Sequence, residues 1–265
     1  MAHCPRAIGA LSCEQEAVMR DHPRFRVATY NTHKCRGIDG RIRPARVAEV
    51  LRELAADVIA LQEVVSLKSG RREQNQAQYL ADAAGYHYHR IGETRKLRGA
   101  VYGNVVLSRF PVKEVRVYDL TASTREARGC IRCDLEIAPG KIVHLFNVHL
   151  GTGYLERRKQ ARLLMSRDVL LSPQLKHPRL IVGDFNEWTQ GLVSRTLQHS
   201  FESVDIQLHL NRKRTYPGVL PIMHLDHMYF DRELSLEEFV LHRSRMALVA
   251  SDHLPLVAEF GLAGR

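Results

Sequence analysis

Four separate runs in this chain share one design. FRVATYN (25–31), DVIALQEV (57–64), KIVHLFNVHL (141–150) and LIVGDFN (180–186) are apolar, rich in β-branched residues, and close on polar groups. That composition predicts β-strands. Their ends carry Asn31, Gln62 and Glu63, His149, and the pair Asp184 and Asn186. A lone Asp or Asn at a strand end is an ordinary turn residue. Four ends with matching metal- and phosphate-capable chemistry point instead to one site, because a rigid sheet positions side chains at its strand ends. Residues two apart on a strand share a face, so Asp184 and Asn186 are expected to point together with Phe185 turned into the core. Gly183 leaves room for a neighbour to approach closely.

The remaining pattern mixes helices with many hairpin-like strands. Val47, Val50, Leu51 and Leu54 recur at three and four within 43–57, an amphipathic helix with Pro44 in its first turn. A second helix spans 74–85 and ends at Gly85. A long third helix is expected over 154–171, with Leu155, Leu163, Leu164, Val169 and Leu170 apolar, and a short one near 190–198. YHYHRI, GNVVLSRFPV, EVRVYDL, GCIRCDLEIA, LDHMYF, EEFVLH and LVAEF read as further strands, and Pro139-Gly140 predicts a hairpin. This order excludes a clean βαβ repeat and suggests two packed sheets with helices outside. No composition shift divides the chain. Residues 1–23 are expected to be an extension and 24–265 a single domain.

The balance of 39 Lys+Arg against 29 Asp+Glu leaves a formal charge of +10. A basic surplus favours polyanionic partners, whether nucleic acid, anionic lipid or phosphorylated small molecules. The cationic groups Arg95, Lys96 and Arg98; Arg125 and Arg128; Arg157, Arg158 and Lys159; and Arg212, Lys213 and Arg214 would bind an extended polyanion if they surround the strand ends, and are otherwise solubilising charge. Cys130 and Cys133 form a C-x-x-C inside an extended run, where positions three apart face opposite sides, so both read as ordinary strand residues. No signal peptide and no apolar run long enough for a membrane span are seen, so a soluble, cytoplasmic, monomeric product is expected.

SDHLPLVAEF (251–260) places Asp252 beside His253, and neighbours can serve one site only from a turn, which Pro255 supports. Asp226 opens LDHMYF. With these two pieces, TYNTH, IALQEV, YGNVVLSRFPV, FNVHLG, IVGDFNEW, LDHMYF and SDHLPL stand in an order that resembles the endonuclease/exonuclease/phosphatase superfamily, with its DNase I-like fold, and within it a subgroup of small bacterial members. The resemblance spans 24–262. It implies an α/β fold, a four-layer sandwich of two packed mixed β-sheets flanked by helices, and Mg²⁺-dependent hydrolysis of phosphoesters, with Mn²⁺ as a substitute.

The resemblance also implies roles. Glu63 would be the principal metal ligand, with Asn31 close to both metal and phosphate and Asp252 contacting the metal or orienting the site. Asp184 would orient or deprotonate the attacking water, Asn186 would bind the scissile phosphate, and His253 would bind phosphate and act in acid–base chemistry. Asp226 would orient a catalytic histidine. Asn104 and Arg128 match positions that line the site or contact phosphate. His149 matches the DNase I, sphingomyelinase and inositol-phosphatase branches rather than the abasic-site endonucleases.

The expected activity is that of a nuclease or general phosphodiesterase. The alternatives are a phosphoesterase of phospholipid or phosphoinositide headgroups, and a binding protein that has lost catalysis. The lipid alternative calls for an apolar docking loop, for which LVSR (192–195) and PGVLPIM (217–223) are the candidates. Trp188 beside the site would stack on a base or fill core.

Overall fold

The computed structural model describes residues 23–67, 71–122, 126–187, 191–204, 215–216 and 223–262. The expected extension therefore lies outside the described residues except for Pro23, and Trp188, Arg125, Arg212, Lys213, Arg214 and 217–222 lie outside them too.

Twelve strands form two six-stranded sheets among the described residues. The first runs in space as β11 (Leu234–Leu241), β12 (Leu256–Leu262), β1 (Arg24–Asn31), β2 (Val58–Leu67), β4 (Ala100–Ser108) and β3 (Tyr88–Leu97). The second runs as β5 (Val112–Asp119), β6 (Gly129–Ala138), β7 (Lys141–His149), β8 (Arg179–Asp184), β10 (Asp226–Phe230) and β9 (Glu202–Ser203).

One pair near the middle of each sheet is parallel, β1 with β2 and β7 with β8, and every other pairing is antiparallel. These are the four runs with polar ends. Parallel neighbours run toward the same edge, so Asn31 stands in register with Gln62 and His149 with Asp184, although β2, expected to end at Glu63, continues beside β4 to Leu67.

Helices α1 (Pro44–Glu53) and α2 (Gln76–Ala84) belong with the first sheet. Val47, Val50 and Leu51 of α1, and Leu54 just beyond it, are each no more than 1% exposed. Helices α3 (Tyr154–Leu164) and α4 (Leu192–Gln198) cover the second sheet, closing a smaller core on Phe146, Val148, Ile181 and Phe185. A short α5 (Ala247–Ala250) precedes the last strand. The result is the DNase I-like arrangement of two mixed sheets packed together.

The third helix is shorter than its expected span. It ends at Leu164, and Val169 and Leu170 reach the core from a chain of turns. Ser166 Oγ accepts the Asp168 N–H there, a local bond that competes with helix continuation. Leu155 and Leu163 point to solvent rather than inward, 69% and 43% exposed. LVSR is not an apolar docking loop either. It lies in α4 with Val193 fully buried.

Cys130 and Cys133 are unpaired and fall in different cores, as strand alternation requires. Burial pushes both thiols up, that of Cys133 to about 12, which leaves them inert at neutral pH.

A buried amide pair joins the sheets. Gln62 Nε2 donates to Asn147 Oδ1 at 2.8 Å, and Asn147 Nδ2 donates to the carbonyls of Leu61 and Val105, each at 2.9 Å. Asn104 Nδ2 adds bonds to the carbonyls of Gly129 (3.1 Å) and Asn147 (3.2 Å). The β2–β4 register shifts between Leu61 and Val64, and this bulge turns Glu63 out at φ 55°.

Gly183 sits at φ 144°, and a Cβ there would lie 1.9 Å from the Val148 carbonyl oxygen. That contact is backbone of the adjacent parallel strand and cannot give way. Gly183→Ala is expected to cost about 3 kcal/mol or more, read as a fall in the thermal midpoint. An unchanged midpoint would show that β7 and β8 separate freely.

Candidate active site

The polar ends of β1, β7 and β8 meet across the gap between the sheets. Asn31 Nδ2 donates to Asp184 Oδ2 at 2.9 Å, joining the first sheet to the second. Asp184 is 1% exposed, and its other oxygen accepts the Asn186 N–H at 2.8 Å. His149 Nε2 and His253 Nε2 lie 3.7 and 3.8 Å from Asp184 Oδ2.

β10 runs antiparallel to β8 and places Asp226 opposite Asp184. Asp226 Oδ2 lies 2.9 Å from His253 Nδ1, so a carboxylate fixes the imidazole's orientation and leaves Nε2 facing Asp184. The turn expected at 251–255 is present, since β12 begins only at Leu256. The Tyr216 ring leans on the His253 ring at 4.8 Å between centroids.

Asn186 departs from regular alternation. β8 stops at Asp184, Phe185 turns into the smaller core, and Asn186 adopts φ 50°. Its Nδ2 donates to the Leu150 carbonyl at 2.8 Å. Asp184 and Asn186 do end together, through a left-handed turn rather than a shared strand face.

Arg128 is not a solvent-facing cation. It is 7% exposed, its Nη1 lies 3.1 Å from His149 Nε2, and its Nη2 donates to Glu126 at 3.0 Å. Its Nε is buried without a partner. Arg157, also expected among the basic surface groups, is 8% exposed and donates to the Gly151 and Thr152 carbonyls. The Asn104 amide N–H₂ is occupied by backbone carbonyls of the second sheet.

Glu63 and Asp252 stand at the rim. Their side chains are 18% and 30% exposed, and each faces a nitrogen-bearing side chain of one short turn. His33, Lys34 and Cys35 all have positive φ (47°, 60° and 57°), a conformation side chains rarely adopt in succession. This turn sets Lys34 Nζ 3.3 Å from Glu63 Oε2 and His33 Nδ1 3.5 Å from Asp252 Oδ1.

The electrostatics follow from burial and neighbours. Burial pushes the Asp184 carboxyl well above the usual range, and Asp226 adds to this, while His253 and the bonds from Asn31 and Asn186 oppose it. Burial alone would pull His253 down, but Asp226, Asp184 and Asp252 outweigh it and push the imidazole up to about 10. Burial, then Arg128, then His253 hold His149 well below the ordinary imidazole value, so it is neutral.

Two oxygen-rich or mixed groups could hold a cation. Asp184, Asp226 and His253 bring one ligand atom each within 4.8 Å of one another. His253 Nδ1 is already bonded to Asp226, and an imidazole donor suits Mg²⁺ poorly. Glu63, Asn31 Oδ1 and Asp252 offer oxygen donors of the kind a hard divalent ion takes, although Asn31 Oδ1 also accepts the His33 N–H at 3.0 Å. The Glu63 carboxylate already attracts a cation in Lys34. By donor chemistry this second set fits Mg²⁺.

Sequence reasoning missed Lys34, Tyr216 and Asn147. Asn147 had a legible signal, because it lies two residues before His149 on β7 and so shares its inward face.

A two-sheet sandwich with histidine, carboxylate and amide groups gathered at the ends of two parallel strand pairs is the architecture of the DNase I-like phosphoester hydrolases. The chain belongs to the endonuclease/exonuclease/phosphatase family, whose model matches residues 28–253. It is 30% identical over 252 residues to the uncharacterised protein YbhP of Escherichia coli K12, covering 90% of this chain and 96% of that protein. An endonuclease/exonuclease/phosphatase structure from Beutenbergia cavernae superposes with a TM-score of 0.73 at 24% identity, over 91% of this chain and 72% of that one. A mannosyl-6-phosphatase from Bacteroides thetaiotaomicron superposes at 0.71 with 16% identity, over 89% of this chain and 99% of that one.

Proposed function

We propose that this chain is a metal-dependent phosphodiesterase that attacks anionic phosphoesters with an activated water, with nucleic acid as the first substrate class to test. The observation that carries this reading is the buried line Asp226–His253–Asp184. In this reading it supplies a base, Asp184, and an acid, His253, to one reacting phosphorus.

In this reading Asp184 takes the proton of the attacking water. Its raised pKa brings its basicity closer to working pH, which favours proton transfer. Asn31 and the Asn186 N–H hold the carboxylate still. His253, kept cationic by Asp226, donates from Nε2 to a phosphoryl oxygen or to the departing oxygen. Arg128, set against the neutral His149, supplies a fixed positive charge where negative charge develops. Glu63, Asn31 and Asp252 would hold Mg²⁺ or Mn²⁺, which when bound neutralises charge on the phosphoryl oxygens.

The test is hydrolysis of bis(p-nitrophenyl) phosphate and nicking of supercoiled plasmid in Mg²⁺, with and without EDTA. Turnover of the small diester that EDTA abolishes supports the reading, and its absence in folded, Mg²⁺-loaded protein overturns it. Nicking decides whether nucleic acid is a substrate. The mannosyl-6-phosphatase neighbour makes a phosphomonoester the control substrate.

A pH profile carries a second expected result. Asp184 must be ionised and its pKa is raised, so activity rises with pH on a limb above the ordinary carboxylate range. His253 must be protonated and its pKa is raised to about 10, so activity is full below that limb and lost as pH climbs through it. Asp226→Asn removes the main group holding the proton on His253. Its alkaline limb is expected to fall by one unit or more, roughly. A limb that stays put would remove His253 from the acid role.

A further inference from the structure

Helix α3 is built inside out. Its inward residues include Glu156, Arg157 and Gln160, at 8%, 8% and 0% exposure, beside Ala161 and Leu164. Its outward arc carries Tyr154, Leu155, Arg158, Lys159, Arg162 and Leu163, all exposed. Tyr154 and Leu155 are 60% and 69% exposed. A soluble-face helix reverses this order, with leucine inside and charge outside.

The inward polar groups have a visible task. Gln160 Oε1 accepts the Gly151 N–H at 2.8 Å, Glu156 Oε2 accepts the Gly153 N–H at 3.4 Å, and Arg157 holds the Gly151 and Thr152 carbonyls. They clamp the loop that leaves His149. Among the described residues the outward leucines stay open, Leu155 at 69% and Leu163 at 43% exposure.

The outward arc has no acidic residue, and the only acid in α3, Glu156, is buried. Leu155 sits at its centre between Arg158, Lys159 and Arg162, with Tyr154 and Leu163 at its margins. Just beyond the helix the exposed Arg167 and Leu171 extend the same mixture, with a single carboxylate at Asp168. The helix is about 16 Å long and starts five residues after His149.

We propose that the outward face of α3 is a docking surface for anionic lipid bilayers, which brings the site at the end of β7 to phosphoesters held at the membrane. Cationic heads meet the anionic headgroups while Leu155, Leu163 and the Tyr154 ring enter the headgroup boundary. Long arginine stems add apolar cover along the way. Nucleic acid would use the cations but gain nothing from exposed leucines, and the formal charge of +10 favours an anionic surface over a neutral one. The delivery of lipid phosphoesters rests on the hydrolytic reading above, whereas docking itself does not.

The test is co-sedimentation of the full chain with phosphatidylcholine vesicles, with and without phosphatidylglycerol. Wild type is expected to partition to the anionic vesicles roughly tenfold or more above the neutral ones. Leu155→Glu with Leu163→Glu should lose most of that partition, and Arg158→Glu with Arg162→Glu likewise. Far-ultraviolet circular dichroism and hydrolysis of the small soluble diester should not change in either. No preference of wild type for anionic vesicles overturns the proposal. So does full binding by the leucine pair when the arginine pair loses it, which would be electrostatic adsorption alone. Selective loss of duplex DNA binding, or of self-association, in the leucine pair assigns the face to those partners instead. Vesicle binding without hydrolysis of any diester sinks the hydrolytic reading and leaves docking standing.

Discussion

Exchanging Asp184 for asparagine is expected to lower diester hydrolysis by about two to four orders of magnitude while the protein stays folded. The carboxylate faces both His253 and His149 and is held by the Asn31 side-chain amide and the Asn186 N–H. Its raised pKa means that the fold disfavours its charge, so at neutral pH the ionised group is a stability cost that asparagine removes. Asparagine has one acceptor oxygen, however, and keeps only one of the bonds from Asn31 Nδ2 and Asn186 N–H. That loss is about 1 kcal/mol and opposes the gain, so the thermal midpoint should move by no more than a few degrees. Steady-state kinetics and a thermal scan on the same sample check both halves. Undiminished turnover would remove Asp184 from the chemistry, and a collapsed midpoint would make it a structural residue.

Asn147→Leu carries the largest stability effect. Leucine has the same number of side-chain heavy atoms and the same branch point but no amide, so the carbonyls of Leu61 and Val105 lose its two bonds and Gln62 Nε2 loses its cross-sheet acceptor. All of these groups are buried between the sheets, where water cannot replace the lost partner. The expected cost is about 3–5 kcal/mol, measured by denaturant unfolding. Gln62 keeps Thr29 Oγ1 and the Ala60 carbonyl as acceptors, so adding Gln62→Leu should cost less than it does in wild type. A cost below about 1 kcal/mol for Asn147→Leu would mean that the sheets hold together by apolar packing alone.

The sequence was most legible where local sterics decide. The four β-branched runs became strands, Gly85 at φ 76° closed α2, and Pro139-Gly140 turned the β6–β7 hairpin. It was least legible in α3. Leu155, Leu163 and Leu164 match a core pattern by spacing, yet only Leu164 is buried, because the clamp on the Gly151–Gly153 loop sets which way the helix faces. Arg128 read from its own stretch as a loop cation and by resemblance as a phosphate contact; it is enclosed beside His149 because β7 joins Glu126 of its own turn around the guanidinium.

By itself the sequence determined that strands would carry Asn31, Glu63, His149 and Asp184, because β-branching and polarity act over a few positions; β1, β7 and β8 do end on theirs, whereas β2 passes Glu63 through a bulge and runs on to Leu67. Only the tertiary structure decided that these ends meet. Parallel pairing of β1 with β2 and of β7 with β8 aligns them in register, and face-to-face packing brings Asn31 within 2.9 Å of Asp184. The left-handed turn that sets Lys34 on Glu63 was likewise decided by tertiary contacts. Three consecutive residues at positive φ are unfavourable on their own, and bonds from Gln76 Nε2 to the Lys34 carbonyl and from the Arg43 N–H to the Cys35 carbonyl hold them there.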